Sequence, residues 1–278
     1  MALWLRPIPA EMALFLTGPD IQIPDQVENA ARQALQLGVT TQLDMFSGGD
    51  RLRQIKRLES EDRPDLSDLR TAGIGGTVPG GHPTQMGGPA IPTINSPDPA
   101  QEFVDARIAE GSDYIKIIHD DGSTWTWTSP YIAPEFRQRL EMAKPDASKN
   151  HFCNGTDEAI RQSLRERVPI LAGTDAPVPG ATYGASVHGE LALLVGDGMT
   201  PIQALAAATS VPARIFRLSD RGAIKPGMRA DLVLVQGDPT ENILDTRKIV
   251  AVWKRAVRVQ RSERYIKGNQ TFEAIAHD

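Results

Sequence analysis

Three times along this chain a stretch with helical spacing of apolar residues is coupled to a short apolar run that ends on a polar group, and this alternation restricts the fold more than any other feature. Strands joined through helices pair in parallel, with both faces of the sheet covered. In the first unit, Asp25 and Glu28 have capping-box spacing, the helical pattern reaches Leu37, and Gly38 is placed to end it. VTTQLDM, 39 to 45, is the strand that follows. The second unit runs from TAGIGGTV, 71 to 78, through a loop rich in Gly and Pro. Its helix has Asp98 as N-cap, Pro99 in its first turn and Gly111 past its end. That helix delivers DYIKIIHD, 113 to 120, with Ile115 and Ile117 on one face and Tyr114, Lys116 and Ile118 on the other, the pattern of a strand covered on both sides. The third unit is a helical stretch at 157 to 167 followed by VPILAGTD, 168 to 175. After it SVHGELALLVGDG reads as a helix, and Thr200 with Pro201 opens another through ALAAATS.

From Gly222 the pattern changes. RADLVLVQGD, 229 to 238, and IVAVWKRAVRVQR, 249 to 261, are β-rich and joined by a turn-rich link without a helix. The expected division is an α/β part over 1–218 and a small β-rich appendage over 219–278. With 278 residues, 40% of them hydrophobic and 23% charged, the chain is long enough to bury a sizeable core. A net charge of −5 gives no basic footprint for nucleic acid, and no stretch has the apolar length of a membrane span. The single cysteine, Cys153, cannot form an intramolecular disulfide, so a reducing, cytoplasmic setting is expected. The opening MALWLRPIPAEMALFLTG is interrupted by Pro7, Pro9 and Glu11 and reads as mature chain rather than a signal sequence.

Lys116 and Asp175 share an address. Each falls near the carboxyl end of an expected parallel strand, where α/β barrels gather their chemistry because the βα loops open there. The alternative for the pair is a lysine whose stem packs in the barrel and an aspartate that caps the following loop. The glycine-rich stretches GIGGTVPGG and GGDRLRQ lack the Gly-Lys-Ser or Gly-Lys-Thr ending of a phosphate-cradling loop, which sets nucleotide binding aside.

AGTDAPVPG at 172 to 180, ASVHGELALLV at 185 to 195, ALAAATSVPARIF at 204 to 216 and DRGAIKPGMRADLVLVQGDP at 220 to 239 together resemble the C-terminal signature of the amidohydrolase superfamily, in its imidazolonepropionase and prolidase branch. GVTTQLDM at 38 to 45 and GSDYIKIIHDDG at 111 to 122 resemble earlier strands of that family. The resemblance implies a (β/α)8 TIM-like barrel holding one or two divalent metals, commonly zinc, whose activated water cleaves an amide or related C–N bond of a small molecule. It would make Asp175 the strand-eight metal ligand and the base for the bound water, and Lys116 a carboxylated lysine serving as an anionic metal ligand. A buried neutral amine can add carbon dioxide, and a metal lowers its water's pKa to about 7.

The chain departs from that pattern. No His-x-His of strand one occurs anywhere, the first histidine is His82, and DYIKIIHDDGSTWTW passes almost directly into YIAPEFRQRLE where strands five and six and their histidines belong. The expectation is therefore an incomplete barrel with about half of its coordinating set. His82 in PGGHPTQMGG, His119 three residues beyond Lys116, and His188 at the opening of the helix after Asp175 are the candidate substrate-side residues. His151 and His277 read as surface residues, Asp120 and Asp121 as a turn, and Trp125 and Trp127 as one face of a lid or core segment. An incomplete sheet leaves unpaired strand edges, which a second copy, re-pairing into an open sheet, or an unstable truncated product would each explain. Two functions follow: a metal-dependent amidohydrolase, or a non-catalytic remnant serving as an interaction module.

Overall fold

A computed structural model of the chain describes residues 23–84, 90–118, 154–176 and 181–262. Helix α1 (Ile23–Gln36) leads into strand β1 (Thr41–Asp44), helix α2 (Gly49–Ser60) into strand β2 (Asp68–Thr71), and the two strands pair in parallel, Thr41 opposite Asp68 through Asp44 opposite Thr71. Val27 and Ala31 of α1, Ile55 and Leu58 of α2, and Leu66 and Leu69 around β2 form one buried cluster. Each fully buried leucine or isoleucine there contributes about 1.5–3 kcal/mol. Helix α1 begins at Ile23, so Asp25 lies inside it rather than capping it. Helix α2 is an element that the glycines of GGDRLRQ concealed from sequence reading.

Beyond β2 the parallel ladder thins to isolated bridges, Gly76 with Ile117 and Thr77 with Thr93. The cause is local. The Thr71 backbone N–H, which a neighbouring strand's carbonyl would accept, donates instead to the Asp113 carboxylate at 2.8 Å, so regular pairing begins only where Gly76 N–H meets the Lys116 carbonyl at 3.0 Å. The expected strand over 113 to 120 is thus a single bridge within its described part, and Ile115 and Ile117 are 40% and 58% exposed rather than covered. Helix α3 (Pro97–Glu110) precedes it, capped by Ser96 instead of Asp98 and closed by Gly111 in the left-handed region as expected.

Helix α4 (Asn154–Arg165) is followed by residues 168–176 without strand pairing. The segment bonds to helices instead: Ala172 N–H donates to the Ala207 carbonyl at 3.0 Å and Gly173 N–H to the Glu190 carboxylate. Those partners belong to α6 (Pro201–Ala207) and α5 (Ala185–Gly196), and α7 (Ser210–Ile215) follows. Thr200 and Gln203 form a complete capping box on α6, but the helical run breaks at Ala208. Leu191 and Leu194 of α5, Met199, Ala204 and Ala207 of α6, and Ile243 make a second buried cluster, against which Ile160, Leu164 and Ile170 pack.

Ile243 opens a 3-10 helix (Ile243–Arg247), which occupies the link expected to be helix-free. It separates β3 (Leu232–Val235) from β4 (Ile249–Lys254), and with β5 (Val257–Arg258) these form an antiparallel sheet in the order β3-β4-β5. Two devices fasten that sheet to the parallel pair. Gly38, at φ +89, lets β3 and β4 approach so closely that a Cβ there would stand 3.3 Å from Ile249 and 3.4 Å from Val233. The second is ionic. Lys254, with a fully buried side chain, reaches Asp68 at 2.7 Å and Asp231 at 3.3 Å, while Arg221 and Arg229 each meet Asp68 at 2.5 Å. No helix among the described residues is long and apolar enough to cross a membrane.

Burial alone would raise the Asp68 carboxyl's pKa, but Lys254 and then Arg229 outweigh it and hold the group at about 2. Two outcomes follow. Asp68→Asn leaves Lys254 and Arg229 to share Asp231 and Arg221 to rely on Asp220, and should destabilise by about 1–3 kcal/mol in chemical denaturation, more than Lys254→Met, which leaves two arginines to serve Asp68. Because Asp68's folded pKa lies below its ordinary value of 3.8, its stabilisation is complete above pH ~4 and disappears as pH falls through about 2. Acid titration of the D68N variant should lack that segment of the unfolding curve.

Candidate active site

The carboxyl end of the parallel pair gathers a polar cluster around Asp44, the last residue of β1. Its Oδ1 accepts from the Ser47 hydroxyl at 2.9 Å and its Oδ2 from the Thr71 hydroxyl at 2.5 Å, while Thr71 Oγ1 in turn accepts from Gly73 N–H at 3.0 Å. Burial pushes the Asp44 carboxyl up, against the pull of Thr71, Ser47, the Phe46 N–H and the Lys116 charge. The Tyr114 hydroxyl donates to the Asp44 backbone carbonyl at 2.7 Å, with the Arg70 carbonyl at 3.1 Å. Burial raises the pKa of Tyr114 and of Tyr183, and the neighbouring Asp44 charge adds to both. The Tyr114 ring packs edge-on against Phe216 just beyond α7, 4.8 Å between centroids, which ties this end of the sheet to the C-terminal helices.

Lys116 belongs to this cluster. Its Nζ stands 5.8 Å from the centroid of the Phe46 ring, within cation–π reach, and its charge acts on Asp44. Asp175 is held differently. It is exposed, in the left-handed region at φ +51, on a segment fixed by Ala172 and Gly173 to α6 and α5. Aspartate tolerates that conformation better than most residues. The Glu190 carboxyl that receives Gly173 N–H is pushed up by burial.

His188 lies in the fourth position of α5 and is buried. Its Nε2 is 3.0 Å from the Leu37 carbonyl at the end of α1 and its Nδ1 is buried without a hydrogen bond, so the ring clamps α5 to α1 instead of facing an open cleft. Burial lowers its pKa, the Leu37 bond opposing in part. His82 is exposed in the loop after Thr77. His119, Asp120, Asp121, Trp125, Trp127, His151, Cys153 and His277 lie outside the described residues.

Asp44 is the residue that sequence reading passed over. The signal was present: it ends the strand in GVTTQLDM, the same address that singled out Lys116 and Asp175. The described side chains alone do not fit a divalent ion, because among them no three His, Cys, Asp or Glu residues stand close enough to share one.

Residues 147–262 match the Amidohydrolase family. A 92-residue stretch is 36% identical to the adenine deaminase of Lysinibacillus sphaericus, over 33% of this chain and 15% of that protein. A 75-residue stretch is 44% identical to the imidazolonepropionase of Pyrobaculum arsenaticum, over 27% of this chain and 19% of that protein. The chain thus spans less than a fifth of these curated relatives in the matched stretches. A crystal structure of a Xaa-Pro dipeptidase with methionine bound in its active site superposes with a TM-score of 0.67 at 18% identity, covering 84% of this chain and 78% of that one. That likeness concerns the fold alone, an α/β arrangement of the TIM-barrel-like kind. Over residues 147–262 the chain is thus similar to the amidohydrolases.

Thr71→Val should test the Asp44 cluster. Losing the hydroxyl leaves a buried carboxyl short of a donor, at a cost of about 1–3 kcal/mol in thermal or denaturant unfolding, whereas Thr71→Ser should stay near wild type.

Proposed function

We propose that the chain serves hydrolysis of a C–N bond in a small amide, cyclic amide or dipeptide-like substrate, with Asp175 as the base. The observation that carries this reading is the family match over 147–262, which includes Asp175 in the motif AGTDAPVPG. The relatives named for adenine and imidazolonepropionate support a compact, nitrogen-bearing substrate class. An exposed carboxylate on a segment anchored from behind by two helices is suited to accept the proton of an attacking water. Lys116, over the Phe46 ring, is the second polar group assigned to the site, and a divalent ion, zinc first, is the cofactor this reading calls for.

A second reading has its own support. The Lys116 ammonium stands over the Phe46 ring, a contact that suits a structural lysine, and His188 is spent on Leu37. On that reading the chain is a non-catalytic family member.

Asp175→Asn separates the two. On a panel of amides, lactams and Xaa-Pro dipeptides assayed with and without added zinc, the first reading expects turnover that falls by about 10²–10⁴-fold in the variant while the melting temperature stays put. Turnover equal in both proteins would refute Asp175 as the base, and absence of turnover with less than one zinc held per chain would favour the second reading.

A further inference from the structure

An open depression of about 280 Å³, here called the cavity, shares no lining residue with the Asp44 cluster and lies between α7 and the loop that follows it. Its lining includes Arg214, Arg217 and Arg221, the small apolar Ala213 and Ala223, and Leu218, with no aspartate or glutamate. Arg221 is the fixed wall: its guanidinium bonds to Asp68 at 2.5 Å, to Asp220 at 2.8 Å and to Thr41 at 2.9 Å. Arg214 and Arg217 are exposed and have no carboxylate partner among the described residues.

Two backbone features shape its wall. Gly222, at φ +88, passes so close to α7 that a Cβ would stand 2.5 Å from the Ala213 Cβ, so no side chain at that position fits without moving the loop. Arg217 itself sits at φ +55, directly beyond the end of α7, a position where glycine is the usual occupant. The turn is closed by Leu218 N–H donating to the Ala213 carbonyl at 2.8 Å. An arginine accepted there at a conformational cost places a second guanidinium on the cavity beside Arg214.

We infer that this cavity is a binding site for a small oxyanion-headed molecule, a carboxylate or phosphate on a short apolar body, with Arg214 and Arg217 as its cationic fork. Guanidinium groups present paired N–H donors that match both oxyanions, and a site of this size takes a compact ligand. The alanines and Leu218 accommodate the apolar part. The competing role, neutralising the carbonyl end of α7, requires neither a cavity nor a strained arginine.

Inorganic phosphate is the probe, titrated calorimetrically at low salt into the whole chain. Wild type should show saturable one-to-one binding. Arg214→Gln, which leaves the backbone untouched, and Arg217→Gly should each weaken it by about tenfold, whereas Arg165→Gln on the distant α4 should not. Arg217→Gly should also raise the melting temperature, since glycine relieves the left-handed residue, so that affinity and stability move in opposite directions. Absence of saturable binding by wild type, unchanged affinity in R214Q and R217G, or an equal loss in R165Q would each overturn the inference.

Discussion

The contact on which the described fold turns is Asp68 with its cations. A carboxylate at the first residue of β2 sits among Lys254 from β4 and Arg221 and Arg229 from the loop before β3, so one side chain joins the parallel pair to the antiparallel sheet. A lysine whose side chain is wholly out of water is tolerable only if its charge is met there. Its partners are Asp68 of β2 and Asp231 just before β3, which makes the docking specific: a one-residue slip of either strand would bury an unanswered charge. The apolar contribution at the same junction comes from Gly38, whose missing side chain admits Ile249 and Val233.

Much of this was legible in the sequence and some was not, for identifiable reasons. The α1 to β1 unit, the Gly111 stop, the helix start at Thr200 and Pro201 and the β-rich character after Gly222 follow from local chemistry, and the structure has them. The strands expected at 113 to 120 and 168 to 175 have the right apolar pattern, yet their backbone groups are diverted, the first by the Asp113 carboxylate and the second by Ala207 and Glu190. Periodicity reports which face a residue prefers. It does not report which donor will claim a given carbonyl.

The site repeats that lesson. Lys116 was found because it falls near the end of an expected strand, and it lies over the Phe46 ring; Asp44 ends a strand too, but its neighbours Ser47 and Thr71 are 3 and 27 residues away, and only the parallel register brings Thr71 to it. His188 illustrates the reverse. Its motif resembles a substrate-side position, but the helix turns its ring to the Leu37 carbonyl. Sequence motifs select the residue, and the helix phase decides which way it faces.

Gln36, at the end of α1, accepts from Ser262 N–H and donates to the Gln260 carbonyl, both at 2.7 Å, and its own carbonyl receives the Arg261 guanidinium at 2.8 Å. The carbonyl end of the first described helix is therefore finished by residues more than 220 positions later. On a ribosome that adds residues from one end only, α1 emerges long before its clasp exists and waits with open acceptors while nearly everything between is made. Contacts closed over such a separation form late, because the loop between them must be ordered before they can be made.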